Sequence, residues 1–159
     1  MPVSGITPFL WFDQQAEAAA EFYVSIFPNS KINGVTRYTG EEPMGEKGAV
    51  MTVAFELEGA PFVALNGGPK FPFTEAVSFV VKCETQEEID DYWEKLTAGG
   101  GEEVQCGWLT DKYGLSWQVV PDKLDEWSAN GPGFQRVMKA IMPMKKRDLA
   151  ALEAAFTGK

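Results

Sequence analysis

A chain of 159 residues that is 45% apolar, with 11 Phe and 5 Trp, has material for one ordinary core or for two small halves sharing one. Its net charge of −9 argues against nucleic acid or an anionic membrane as partner, because both require a positive surface. No apolar run approaches the ~20 residues of a membrane span, and the opening MPVSGITPFLWFD lacks the basic segment and cleavage pattern of a signal peptide. Cys83 and Cys106, each in a predicted strand, have no Cys-x-x-Cys or histidine partner. They read as buried, reduced thiols of a cytoplasmic protein.

In chain order, Ile6 to Phe12 is an aromatic-rich apolar run and predicts a strand. Asp13 can cap a helix from Ala16 to Phe27, where Ala16, Ala19, Ala20, Tyr23, Ile26 and Phe27 recur at helical spacing. Pro28-Asn29-Ser30 stops it. Three strands follow, Ile32 to Tyr38, Val50 to Leu57 and Phe62 to Asn66, with a polar loop at 40–48 and a turn at 58–61. The order then begins again. Ala76 to Cys83 predicts a strand, and Thr85-Gln86-Glu87-Glu88 is a capping box opening a helix to about Ala98. Gly99-Gly100-Gly101 ends that helix. Strands from Glu103 to Leu109 and from Leu115 to Pro121 complete the second set. Phe22-Tyr23 and Tyr92-Trp93 hold matching places on the two helices.

The stretch Trp108 to Pro121 reads as strand, tight turn over Asp111 to Gly114, and strand. Alternation sets Ser116, Gln118 and Val120 opposite Leu115, Trp117 and Val119, so one amide, Gln118, projects mid-strand. Trp93 and Trp117 fall where helix packs on sheet. The tail from Asp122 to Lys159 carries short helical patterns, Leu124 to Ser128 and Phe134 to Met142. A last amphipathic helix, Asp148 to Phe156, is placed to pack on its own sheet or on a partner.

The segments ITPFLWFD, AEAAAEFYVSIFPNSKI, FVALNGGP, SFVVKC, EEIDDYWEKL, CGWLTDKYGLSWQVVP and VMKAIMPMKK follow one another as in the PhnB-like branch of the vicinal oxygen chelate (glyoxalase/bleomycin-resistance) superfamily. That branch often carries the name 3-demethylubiquinone-9 3-methyltransferase. The resemblance implies an α+β fold: two tandem βαβββ modules forming a cup-shaped mixed sheet, plus C-terminal helices. Module one spans about residues 1–69, module two about 70–121 and the tail 122–159. It also implies a homodimer.

Metal-binding relatives place one ligand on the first strand and one on the last strand of each module. The matching positions are Thr7, Ala64 or Asn66, Ala76 or Ser78, and Gln118, where metalloenzymes usually hold a glutamate. Divalent metals of such sites want imidazole and carboxylate. This chain has no histidine at all, so no metal and no cofactor is expected. The methyltransferase name gains no support, because neither Gly67-Gly68 nor Gly99 to Gly101 sits between a strand and a helix, as a cofactor-binding glycine turn requires. Without histidine a nucleophilic triad lacks its usual base. The paired carboxylates 41–42, 87–88, 90–91 and 102–103 read as solvated. What remains is a pocket lined by Thr7, Phe9, Trp11, Asn66, Ser78 and Gln118. The expectation is a metal-independent binder of a neutral or aromatic small molecule. The alternative is an enzyme in which Gln118 and Asn66 polarise a substrate oxygen.

Overall fold

In the computed structural model, which describes residues 1–159, Pro8 sets where the first strand begins. Proline has no amide hydrogen for a ladder; its carbonyl accepts from Val63 N, and β1 runs only over Phe9–Phe12. The expected start at Ile6 is therefore too early, and Thr7 lies in exposed irregular chain. The chain forms two units, Met1–Pro72 and Phe73–Lys159.

The first unit continues with α1 (Ala16–Ile26), β2 (Lys31–Arg37), β3 (Val50–Leu57) and β4 (Ala60–Asn66). Its sheet has the order β1-β4-β3-β2, with β1 parallel to β4 and the other neighbours antiparallel. Helix α1 buries Ala16, Ala19, Ala20, Tyr23 and Ile26. The alanine stripe brings its backbone close to the sheet, and Tyr23 stacks on Phe55 at 6.2 Å. The face beneath α1 carries Leu10, Phe12, Val53, Phe55, Leu57 and Ala64, all buried. Full burial of Tyr23 and Phe55 stabilises this unit by about 2–3 kcal/mol each. The β3–β4 hairpin closes through Glu58 (φ 50) and Gly59 (φ 78), the doubly left-handed turn whose twist suits a two-residue hairpin.

The second unit repeats that plan with β5 (Ser78–Cys83), α2 (Gln86–Thr97), β6 (Glu102–Glu103), β7 (Trp108–Thr110) and β8 (Ser116–Pro121). Its order, β5-β8-β7-β6, is the same one, with β5 parallel to β8. Thr85 Oγ1 accepts from Glu88 N, as the capping pattern predicts, while the Glu88 carboxylate reaches Glu84 N rather than Thr85 N. Ile89, Trp93 and Leu96 are buried under α2, and Trp93 Nε1 donates to Glu103 Oε1 at 2.6 Å. Tyr23 and Trp93 thus occupy equivalent core places, as their helix positions predict.

One predicted strand is broken. Between β6 and β7 the chain makes a 3₁₀ turn over Gln105–Gly107, with Cys106 at φ 62 and Gly107 at φ 82. Their amides donate to Met144 O and Lys145 O of the tail, so the tail diverts these groups from the ladder. A Cβ at Gly107 would lie 2.4 Å from Arg147 Nε. Cys106 is therefore a turn residue, half-buried, and not the strand residue its neighbours imply.

The tail folds into α3 (Leu124–Trp127), α4 (Gly131–Ile141) and α5 (Leu149–Thr157). Asn130 and Asp148 cap the two longer helices through Gly133 N and Ala151 N. The last helix packs on α4, sharing a cluster of Trp127, Val137, Ile141 and Leu152, and Arg136 donates to the final carbonyls Ala155 O and Phe156 O. No helix is long and apolar enough to cross a membrane.

The turn before β8 is closed from inside. Asp111 is 3% exposed; its Oδ1 accepts from Tyr113 N and Leu115 N, and its Oδ2 accepts from Trp117 Nε1 at 2.9 Å. Asp111→Ala strands three buried or half-buried donors, and the expected loss is about 3 kcal/mol in a denaturant titration. A loss under about 1 kcal/mol contradicts this role.

Candidate functional site

Each unit has one sheet face under its helix and one face turned away. In the second unit, register puts Ser78, Val80, Ser116, Gln118, Trp108 and Thr110 on the face away from α2, because Ser78 pairs with Ser116, Val80 with Gln118 and Trp108 with Gln118. Trp117, Val119 and Leu109 take the other face and are buried there. Gln118 sits on the central strand, half-buried. Its Nε2 donates to Ser78 Oγ at 2.9 Å, which leaves Oε1 with lone pairs for a ligand donor. Ser78 and Gln118, two of the expected site residues, are thus brought together. Ser116, which shares their parity, is added by the structure; its buried hydroxyl has no hydrogen-bond partner.

In the first unit the face away from α1 carries Phe9 and Trp11 beside Val63 and Leu65. Phe9 is 62% exposed. Trp11 is half-buried, donates through Nε1 to Gly68 O at 2.8 Å and meets Phe71 edge-on at 4.9 Å. Asn66 belongs to the opposite face. It pairs in register with Phe12 rather than Trp11. Its Oδ1 accepts from Ala16 N at 2.8 Å, and its Nδ2 donates to Val50 O at 3.1 Å. Helix α1 has no side-chain cap of its own, so Asn66 satisfies one of its orphan donors from the sheet. Tyr38 Oη donates to the Asn66 carbonyl, which fixes the same corner. Asn66 does not share a surface with Trp11, and Thr7 lies outside the strand.

The metal-ligand positions do not fit a metal. Ala64 is fully buried beneath α1, Ala76 precedes β5, and Thr7, Ser78 and Gln118 supply only neutral oxygens. No three His, Cys, Asp or Glu side chains converge anywhere in the chain. A dication on this face would keep its charge uncompensated. Lys82, at the end of β5, pairs with Asp125 on the exposed surface. A groove of about 320 Å³ lies in the tail among Lys123, Trp127, Glu153, Phe156 and Thr157. Its walls include none of the candidate residues.

The family model described as 3-demethylubiquinone-9 3-methyltransferase matches residues 4–120. The chain belongs to this PhnB-like family. A PhnB protein from Bacillus cereus is 39% identical, covers 73% of this chain and 98% of its own, and superposes with a TM-score of 0.65. Protein PA1353 from Pseudomonas aeruginosa (18% identity, 74% and 96% covered, TM-score 0.59) shares the fold. So does the fosfomycin resistance protein FosX from Listeria monocytogenes (16% identity, 79% and 97% covered, TM-score 0.56). No curated protein matches the chain. The family's methyltransferase name has no counterpart in the architecture of this PhnB-like chain. Residues 67–77 hold no helix, Gly99 to Gly101 follow α2 rather than a strand, and neither sheet is doubly wound.

Burial pushes the Cys83 thiol up to about 12, with Glu88 and Asp122 adding to the effect. A folded value raised above the ordinary one gives stability that is complete at neutral pH and lost as pH climbs from 9.0 toward about 12. Cys83→Ala, which has no thiol to ionise, is expected to lose less stability across that window than the wild type, read as urea midpoints. Parallel losses contradict this. Asn66→Ala frees a helix N–H and a strand carbonyl, and the expected cost is about 2 kcal/mol in the same assay.

Proposed function

We propose that this PhnB-like protein binds a neutral small molecule without a metal, on the Gln118 face of its second unit. One observation carries the reading: the position where a metal-binding relative would hold a carboxylate has an amide, tied to Ser78 Oγ at 2.9 Å and flanked by Val80 and Trp108. Neutral donors and acceptors over an apolar floor suit an uncharged ligand with a hydroxyl or carbonyl on an aromatic or quinone-like ring. Oε1 accepts from its hydroxyl, and Trp108 and Val80 supply contact area. Lys82, which shares this face by parity, sits at the strand end with its charge paired to Asp125, and this disfavours phosphonates and other anions.

The enzymatic alternative asks Gln118 and Asn66 to polarise one oxygen together. Asn66 faces α1 with both ends of its amide engaged, which weighs against it. We also read the protein as a cytoplasmic homodimer. The exposed apolar side chains Phe9, Phe71 and Val80 support association, and two unpaired thiols support a reducing compartment.

Thermal shift against neutral hydroquinones, naphthoquinones and hydroxybenzamides tests the ligand reading. A binding compound at a hundredfold excess over its Kd stabilises by about 2.7 kcal/mol. Gln118→Leu is expected to abolish the shift while leaving the unliganded melting temperature within a few degrees. No shift with any neutral aromatic, or a shift that survives Gln118→Leu, overturns the assignment.

A further inference from the structure

The turn between β6 and β7 is held from outside. Glu103 pairs with Leu109 and Val104 N donates to Trp108 O, so Gln105–Gly107 carries the chain from one strand to the other. Cys106 stands at φ 62 and Gly107 at φ 82, a left-handed pair in which the non-glycine member is strained. Three backbone groups of that pair bond to the tail. Cys106 N donates to Met144 O at 2.7 Å and Gly107 N to Lys145 O at 2.8 Å, while Cys106 O accepts from Nε and Nη2 of Arg147 at 3.3 and 2.9 Å. A strained turn persists where its surroundings over-determine it, and here those surroundings are residues 144–147.

Arg147 is a costly residue for that task. It is 5% exposed, no carboxylate meets it, and its Nη1 is buried without a partner. Desolvating a guanidinium without an acid is less favourable than packing an apolar side chain of similar size. Stability alone therefore does not account for it. What it supplies is geometry, a planar fork locked on one carbonyl. Gly107 completes the fit, because a Cβ there would collide with Nε. The backbone of Arg147 is fixed as well: its carbonyl accepts from Gln86 Nε2 of α2, and Gln86 Oε1 accepts from Leu149 N.

The residue that follows the turn is Trp108. Its amide donates to Gln105 O, it opens β7, and it pairs with Gln118 on the face turned away from α2. We propose that Arg147 is a positioning residue for the ligand face: its clasp on the turn sets the angle at which Trp108 enters β7 and holds the indole as a wall beside Gln118. This role rests on the ligand reading of that face. Leu109, buried beneath α2, fixes the side that Trp108 takes, and the turn fixes how the indole leans toward the amide. Arg147 lies beyond the residues 4–120 that the family model spans, so the helical tail tunes affinity for an aromatic ligand.

The test uses full-length protein with fluorotryptophan at its five tryptophans, read by fluorine NMR, with Trp108→Phe locating the Trp108 resonance. Arg147→Met is expected to shift or broaden that resonance and to leave those of Trp11, Trp93 and Trp117 in place. Arg147→Lys, which reaches the carbonyl with fewer donors, is expected to give a smaller change of the same kind. Lys146→Ala, which cuts the neighbouring exposed ion pair with Asp90, is expected to change nothing. In titrations with naphthol and hydroxybenzamide, Arg147→Met is expected to raise Kd about fivefold. In a Trp108→Ala background the same substitution is expected to change Kd less than about twofold, because it acts through the indole. An unmoved Trp108 resonance in folded Arg147→Met overturns the proposal, as does an equal loss of affinity in both backgrounds. A bound compound whose Kd ignores Arg147→Met overturns this role alone. Failure of the wild type to bind any neutral aromatic overturns the ligand reading and this role with it. Should Arg147→Met fail to fold, Arg147→Lys decides, and an unmoved Trp108 resonance there overturns the proposal.

Discussion

The carboxylate of Asp111 is buried with its hydrogen bonds turned inward, and the second sheet is organised around the turn it closes. Two backbone amides and an indole N–H converge on it, which fixes the approach of β8 to β7 and the side to which each β8 residue points. Strand β8 is central, flanked by β5 and β7. A one-residue slip there would exchange Trp117 and Gln118 between the helix face and the open face. Because Trp117 Nε1 is itself a partner of Asp111, such a slip would break a buried charge-assisted bond as well as expose an aromatic core residue. The place of Gln118, and with it the ligand reading, depends on that constraint.

The first unit reaches the same strand order by other means. A two-residue left-handed turn closes its hairpin, and Asn66 ties the start of α1 to the sheet. One plan therefore carries different polar clasps in its two copies. In the second unit the mid-strand amide engages only its nitrogen, with Ser78, while in the first the strand-end amide has both ends engaged.

The fold was largely legible in the sequence because its signals are local. Alternation located β8, helical spacing located α1, the capping box located α2, and the Thr85 and Asp148 caps appear at the helix starts the sequence marks. The family segments supplied the tandem arrangement. Legibility failed where tertiary contacts override local pattern. The run from Glu103 to Leu109 has strand composition, but the tail claims the amides of Cys106 and Gly107, a competition between segments some 40 residues apart. Its neighbour-but-one relation to Ala64 points Asn66 to the pocket. The two do share a face, but it is the one beneath α1. Ser116 could have been added by its parity with Gln118. Trp108 could not, because the 3₁₀ turn hides its register.

The central claim is that neutral groups, with no metal, make the working surface of this family member. Elemental analysis of the purified, dialysed protein for zinc, manganese, nickel and iron tests it most directly. The account predicts far less than one metal ion per chain, and no stabilisation when those ions are added back. One tightly held metal ion per chain, lost together with stability on chelation, would contradict it.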